Sequence, residues 1–584
     1  MKSLSYLNKY FLKYKWRFLL GILFTIASNY FGAQMPLIVK DAVNSLTNYS
    51  EMAGLESVIL LSLKVGGLYI LLSLGKGFFL FLMRQTIIVM SRFIEYDLKN
   101  EIYQQYQKLD FNFFKMNNTG DLMNRISEDV SQVRMYLGPG NMYTINLIVL
   151  FVMVISQMVM IDPILTLFVL IPLPLMSIII YKVSSKINTL SSAVQKEQSL
   201  MSTLAQETFS GIRVVKAYSR EHEIHDKFNA SAESYRSKNM KLVVVNALFM
   251  PTIVFLIGLS TLISIYLGGL LFYSGDISKG DIPAFILYIN MLTWPFASVG
   301  WVTSIIQRAA ASQERINQFL LIKPEITNPS STPFVLKGKV EFRNVSYRYP
   351  NSGTQAITNL NFTVEPGETL GIIGRTGSGK STILNLLMRN IDPDEGQILI
   401  DGKDLKEINL EDFRRQTGIV PQEVFLFSDT IGNNIRFGTE RDDVTGSELE
   451  EVSEFAHVLH NIKQFPDGMN TMLGERGVNL SGGQKQRVSI ARALIKRPKL
   501  LLLDDCLSAV DTETEEAILS NLSKVMKGNT GLIVSHRISS LRNAEKIILL
   551  ENGHKTEEGS HQELLELNGS YAAIYHKQLA EDTE

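Results

Sequence analysis

A chain of 584 residues has room for several domains. Its formal net charge of −1 excludes a general attraction to polyanions, so no nucleic acid is expected as a partner. Cys506 is the only cysteine, which excludes an intrachain disulfide and a thiolate metal cluster.

Hydrophobic residues make up 46%, an ordinary mean, but they crowd into the first 306 positions. Six segments there are apolar enough and near the ~20 residues that cross a ~30 Å hydrocarbon layer: 16–39, 58–83, 145–161, 164–181, 242–266 and 282–306. Six such runs in half a chain disfavour a set of buried core helices. The first run is too long for a cleaved signal peptide and lacks a small-residue cleavage site.

Loop charges orient the spans. Lys2, Lys9, Lys13, Lys15 and Arg17 precede the first and place the N-terminus in the cytoplasm. Loop 41–57 has no Lys or Arg and is expected outside, whereas loop 182–241 has ten and is expected inside. Loops 88–143 and 182–241 carry helical patterning, so helices are expected to continue below the membrane. Within them, 113–122 and 209–215 break the pattern and are candidate contact points with a cytoplasmic domain, or plain helix–helix turns. Among polar residues inside spans, Lys76 is the deepest charge and a candidate for lining a cavity. Pro172, Pro174, Pro251 and Pro295 predict kinks. Residues 1–320 are therefore read as an all-α, six-helix transmembrane domain, and the Pro-rich stretch within 321–337 as a linker.

From Gly338 the pattern changes to short strands alternating with helices, an α/β domain over 338–578. Its centre is Gly374-Arg375-Thr376-Gly377-Ser378-Gly379-Lys380-Ser381-Thr382, which matches G-x-x-x-x-G-K-[ST] between an expected strand, 369–373, and an expected helix, 383–388. The glycines let backbone N–H groups point at phosphate oxygens, and the helix N-terminus adds partial positive charge. Lys380 reaches the terminal phosphates, and the Ser381 hydroxyl suits a magnesium ion. Alone, the loop says nucleotide phosphate and not what work is done. Downstream, the apolar run 499–503 ends in Asp504 and Asp505, with Asp504 placed to hold magnesium through water. Leu480-Ser481-Gly482-Gly483-Gln484 opens a basic helix whose N-terminus makes a second phosphate cradle. His536 follows an apolar strand, 531–534, at its carboxyl edge.

At this point the sequence resembles a known family. Leu480–Gln484 is similar to the signature of ATP-binding cassette proteins, and its place between the phosphate loop and Asp504 fits that pattern. Six spans followed by the cassette resemble an exporter half-transporter of the bacterial multidrug type. The likeness implies ATP and Mg2+ as cofactors and roles for further residues. Tyr349 matches the aromatic that stacks on adenine. Gln422 matches the loop glutamine that touches magnesium, so the metal set is Ser381, Gln422 and Asp504. His536 matches the switch histidine at the γ-phosphate. Gly474-Glu475-Arg476-Gly477 resembles an exporter-specific contact, and Ser508-Ala509-Val510-Asp511 the loop that crosses to the partner. Segments 113–122 and 209–215 lie near the family's coupling helices.

The resemblance also implies that two cassettes face head to tail, with each ATP between one chain's phosphate loop and the other's signature. A second half-transporter is then required, and ATP binding shifts the population of the pair toward an outward-facing state. One position departs from the pattern. Where the family carries a glutamate base, this chain has Asp505, shorter by roughly 1–1.5 Å of reach. With Asp505, His536 and Gln422 as catalytic candidates, the expectation is a slow site in a heterodimer, a homodimer being the competing view. The expected function is ATP-driven export of small amphipathic or hydrophobic compounds across a bacterial plasma membrane. A lipid or peptide translocator and an ATP-gated sensor or channel are the alternatives. The signature and the six spans argue against a soluble kinase or GTPase.

Overall fold

The structure is a computed structural model that describes residues 2–49, 55–350, 352–507, 510 and 512–583. It divides into two compact units, one of residues up to 107 with 118–322, the other of 108–117 with the chain from 323 onward.

Among the described residues of the first unit, six helices are long and apolar enough to cross a membrane. After short N-terminal helical turns at Lys2–Leu7 and Asn8–Lys13, the helices in chain order are α1 (Lys15–Tyr49), α2 (Leu55–Lys108), a short α3 (Phe111–Met116) that belongs to the second unit, α4 (Thr119–Ile161), α5 (Pro163–Ser210), a short α6 (Ile212–Ala217), α7 (Glu221–Ser274) and α8 (Asp281–Leu320). At 1.5 Å per residue, the 54 residues of α2 and of α7 span about 80 Å, far beyond a ~30 Å hydrocarbon layer. The expected extensions below the membrane are therefore present. Leu63, Ile70, Leu74 and Phe81 of α2 are more than half exposed. An apolar face of that extent suits lipid rather than water.

Proline acts differently along the spans. The α-helical run of α5 breaks at Ile171 between Leu170 and Pro172, because Pro172 brings no N–H. Pro251 and Pro295 stay inside continuous α7 and α8. Two π-type turns, Arg125–Asp129 and Tyr136–Gly140, interrupt α4, and Pro139 lies in the second. The bundle is joined by polar contacts as well as apolar packing. Asn29 Nδ2 donates to Asn146 Oδ1 at 2.9 Å, and the buried Tyr288 hydroxyl donates to the Ala33 carbonyl at 2.9 Å. Lys40 pairs with the nearly buried Asp281 at 2.7 Å. Below the spans, Glu101 accepts from Lys9 at 2.8 Å and Asp97 from Lys13 at 2.6 Å, so the N-terminal segment is tied to α2. Lys76 is half-buried, with its side chain beside Gly32.

The second unit is built on two sheets. The strands are β1 (Val340–Arg348), β2 (Gln355–Val364), β3 (Thr369–Gly374), β4 (Glu395–Ile400), β5 (Lys403–Asp404), β6 (Thr417–Val420), β7 (Leu500–Asp504), β8 (Thr530–Ser535), β9 (Lys546–Glu551) and β10 (His554–Gly559). An antiparallel sheet runs β2-β1-β4-β5, and a six-stranded sheet runs β10-β9-β3-β8-β7-β6. From β9 to β6 the six-stranded sheet is parallel, and only β10 is antiparallel. Two of its interior strands, Leu500–Asp504 and Thr530–Ser535, are buried at every position, as both-face coverage demands. The expected strands are all present, several of them longer than the apolar runs that announced them.

Strand order positions the functional groups. β8, which comes more than 150 residues after β3 in sequence, is inserted between β3 and β7. The carboxyl ends of β3, β8, β7 and β6 therefore lie side by side. In an open α/β sheet that edge is where ligands bind.

Candidate functional site

The phosphate loop leaves β3 at Gly374 and enters α9 (Lys380–Leu387). Two of its glycines are required by space. A Cβ on Gly374 would meet the Leu550 carbonyl oxygen at 2.2 Å, and one on Gly379 the Ala356 oxygen at 2.3 Å. Gly379 also has φ +101°, a conformation side chains disfavour. Lys380 folds back over the loop and donates to the Gly374 and Arg375 carbonyls at 2.7 and 2.9 Å. Burial pulls its ammonium down to about 8, against the pull of Asp505 and Asp504 in the other direction. Ser378 Oγ is buried without a hydrogen-bond partner among the described residues. A loop that curls its lysine onto its own carbonyls and leaves a buried hydroxyl unsatisfied is shaped for an external anion.

The neighbouring strand ends supply the rest. The Ser381 hydroxyl donates to Asp504 Oδ1 at 3.0 Å. Burial raises the Asp504 carboxyl above its ordinary range, an effect opposed first by the Ser381 hydrogen bond. Asp505 adopts φ 45° just past β7, and its N–H donates to the Val534 carbonyl of β8 at 2.9 Å. His536 follows β8 and is half-exposed. Gln422 follows β6 and is exposed. The Tyr349 hydroxyl lies 3.0 Å from Thr382 Oγ1, and its ring meets Tyr347 edge-on at 5.1 Å.

These groups share one cavity of about 350 Å³, lined by Tyr349, Thr376, Gly377, Gly379, Lys380, Ser381 and Thr382 on one side. Gln422, Asp504, Asp505 and His536 line the other. The structure thus gathers Tyr349, the phosphate loop and all the proposed catalytic and metal residues. It does not gather the signature: Leu480, Ser481, Gly482, Gly483 and Gln484 are not among the lining residues. Ser481 instead caps α10 (Gly482–Leu494) reciprocally, accepting from the Gln484 N–H while Gln484 Oε1 accepts from the Ser481 N–H. Ser481 and Gly482 are exposed, so this helix N-terminus is open. Of the loop expected to cross to a partner, Ser508, Ala509 and Asp511 lie outside the described residues.

Ser381, Asp504 and Gln422 are an all-oxygen donor set that suits a hard divalent cation. Among the described residues no cluster of three His, Cys, Asp or Glu could hold a metal. Ser381, Asp504 and Gln422 would hold magnesium, which would supply positive charge against the phosphates. Cys506, next to Asp505, takes no part: burial pushes its thiol up to about 12.

Several positions escaped sequence reasoning. Ser352, Thr354 and Ala356 complete the wall near Tyr349. The His536 carbonyl accepts from Gln578 Nε2 at 2.7 Å, and Gln578 Oε1 accepts from the Ile538 N–H at 2.9 Å. The buried Glu515 takes Arg537 Nη1 at 2.9 Å and the Ser540 hydroxyl. No local motif marks Glu515 or Gln578, because each meets the segment after β8 from elsewhere in the chain, Gln578 at His536 and Ile538 and Glu515 at Arg537 and Ser540.

Comparison with known proteins agrees with this geometry. Residues 18–296 match the family model described as ABC transporter transmembrane region, and residues 357–508 match the one described as ABC transporter. The chain is 34% identical to the "Probable multidrug resistance ABC transporter ATP-binding/permease protein YheI" of Bacillus subtilis, over 98% of this chain and 97% of that one. It is also 34% identical to an "ATP-dependent lipid A-core flippase" of Aromatoleum aromaticum, over 83% of this chain and 80% of that one. A solved bacterial Atm1-family ABC exporter with ATP bound superposes with a TM-score of 0.76 at 26% identity, covering 98% of this chain and 99% of that one. Six apolar helices, a phosphate cradle on an α/β sheet and full-length likeness to such relatives converge: the chain belongs to the ABC transporter family, as a multi-pass bacterial half-transporter whose ATP-hydrolysing cassette drives transport.

Proposed function

We propose that this chain exports amphipathic or hydrophobic compounds as one subunit of a heterodimer, in which its own phosphate loop forms the slower of two ATP sites. In this reading Tyr349 stacks on adenine, Gly374–Thr382 cradle the phosphates, and Ser381, Gln422 and Asp504 hold magnesium. His536 contacts the γ-phosphate, and Asp505 is the base that orients the attacking water. Leu480–Gln484 serves the partner's nucleotide.

The observation that carries the slow site is Asp505. Its carboxylate starts from a backbone fixed by the Val534 hydrogen bond, and it is one methylene shorter than glutamate. A general base must come within about 2.6–3.2 Å of its proton or act through a water. A shortfall of roughly 1–1.5 Å leaves that distance unmet unless a further water intervenes. The open signature, absent from the chain's own cavity, supports a second chain as the other wall.

The test is ATP hydrolysis by the purified chain, alone and with a second half-transporter expressed beside it. Slow turnover alone, faster turnover in the pair and a gain from Asp505→Glu are expected. Brisk turnover by the chain alone, abolished in Asp505→Ala, defeats the heterodimer reading.

For cargo, the likeness to a multidrug resistance protein favours amphipathic drugs, and the likeness to a lipid A-core flippase supports a lipid as the second reading. ATP-dependent accumulation of a fluorescent cationic dye in inverted vesicles, compared with flipping of a labelled lipid, separates them. Nucleotide turnover with neither outcome favours a gate or sensor.

A further inference from the structure

We propose that a basic groove between α5 and α7, at the edge of the membrane layer, binds the headgroup of an acidic glycerophospholipid from the cytoplasmic leaflet. The site is separate from the nucleotide cavity and does not rest on the cargo reading.

The groove has a volume of about 690 Å³, within the range of small-molecule sites. Lys186 of α5 and Arg236 and Lys241 of α7 line it, with Glu233 as the one acid. Lys186 and Lys241 have no ion-pair partner among the described residues, while Arg236 shares Glu233 at 3.1 Å with both side chains exposed. The lining therefore carries a surplus of positive charge that the protein does not neutralise. The ion pair of Lys238 with the largely buried Glu197 joins the two helices between the levels of Arg236 and Lys241, so the groove is preformed.

Its depth matches a lipid headgroup. Lys241 directly precedes the apolar span 242–266, and Lys186 lies five residues beyond the end of span 164–181. At 1.5 Å per residue, counted along its own helix, each falls within ~8 Å of the end of its span, about the thickness of the headgroup layer, with Lys186 further up the groove than Lys241 from the shared Lys238–Glu197 level. Beyond Lys241 on α7 the wall turns apolar. Val244 belongs to the lining, and Leu248 one turn further on is 63% exposed. With Lys241 they form an i, i+3, i+7 stripe on one helix face, charge below and hydrocarbon above. A phosphodiester with acyl chains has that same polarity. A free phosphate would use only the lower half. Juxtamembrane cations on the cytoplasmic side each contribute roughly fivefold to anionic-lipid affinity.

The experiment is native mass spectrometry of the full-length chain in detergent, titrated with dioleoyl phosphatidylglycerol, dioleoyl phosphatidylcholine or inorganic phosphate. Phosphatidylglycerol is expected to bind at least about tenfold more tightly than phosphatidylcholine, and phosphate weakly. Lys186→Gln with Arg236→Gln and Lys241→Gln should erase that preference, while Lys186→Arg with Lys241→Arg should keep it. A control set at the far end of the same loop, Lys216→Gln with Arg220→Gln and Lys227→Gln, should leave it unchanged. Retained ATP binding by each variant confirms folding. Equal retention of the two lipids overturns the proposal, as does an equal loss in the control set. Val244→Cys adds a positional check, since Cys506 is buried. Capture of that thiol by a maleimide-bearing lipid supports the site. Its crosslinking to a second chain in place of lipid overturns the proposal and makes the groove a subunit contact.

Discussion

The Lys115 ammonium lies 4.2 Å from the centroid of the Tyr349 ring. Lys115 sits on α3, whose N-cap Asp110 accepts from the Phe113 N–H at 3.1 Å and from the Glu325 N–H at 2.7 Å. A short helix lying in sequence between two membrane-spanning helices thus reaches the aromatic at the nucleotide cavity, within one compact unit. An exposed cation on a ring contributes about 0.5–1 kcal/mol. Lys115→Met should therefore raise the ATP concentration for half-maximal binding by roughly twofold to fivefold. Tyr349→Ala should raise it further, and the double variant should show little beyond Tyr349→Ala. Additive losses in a nucleotide titration would show that the two residues act independently.

Lys380 makes nucleotide binding depend on pH. In the empty loop its ammonium is held down to about 8 by burial. Below that value the charge is present and ATP binding gains from it. Above it the lysine is neutral in the empty loop, and phosphate must draw a proton to restore the charge. ATP affinity should be flat below pH 8 and then fall by up to about tenfold per unit as pH rises toward the ordinary lysine value. Proton uptake on binding, read by calorimetry in two buffers at pH 9, measures the effect. Lys380→Met should bind weakly and without this slope.

The glycines of the loop should separate by cause. Gly379→Ala places a Cβ 2.3 Å from the Ala356 carbonyl at φ +101°, so the loop must move. A loss of more than about 2 kcal/mol in cassette stability and a loss of nucleotide binding are expected. Gly377 has φ +82° but open space around its Cβ position. Gly377→Ala should cost only about 1 kcal/mol. Thermal unfolding of the full chain with and without ATP compares the two.

Gln578 holds the backbone on both sides of Arg537, through the His536 carbonyl and the Ile538 N–H. Gln578→Leu leaves both without this partner, at about 1–3 kcal/mol. Since the damage falls on the placement of His536, kcat should drop roughly tenfold while ATP affinity changes little. Steady-state hydrolysis by the assembled transporter gives both values, and a rise in KM alone would count against this role.

The candidate site was legible to different depths. The loop Gly374–Thr382 reads directly, because phosphate binding needs glycines, a lysine and a hydroxyl at contiguous positions. The membrane helices read equally well, since span length follows from bilayer thickness. Asp504 was visible as an acid ending an apolar strand, and with the upstream phosphate loop its metal role could be read, whereas His536 was visible only by its place and took its role from the family pattern. Glu515, Gln578 and Lys115 left no trace in local spacing. Each acts across many residues, on a group it meets only after folding.

By itself the amino-acid order determined two kinds of module, six bilayer-length apolar helices and a phosphate-binding strand–loop–helix, because both rest on local periodicity and contiguous chemistry. Only the tertiary structure decided that β8 enters between β3 and β7, which sets His536 beside Lys380 and Asp504. Parallel neighbours are chosen by hydrogen bonding and packing between distant segments, so their order is not written in any one stretch. The same non-local packing carried Leu480–Gln484 away from the chain's own cavity and left that helix end open.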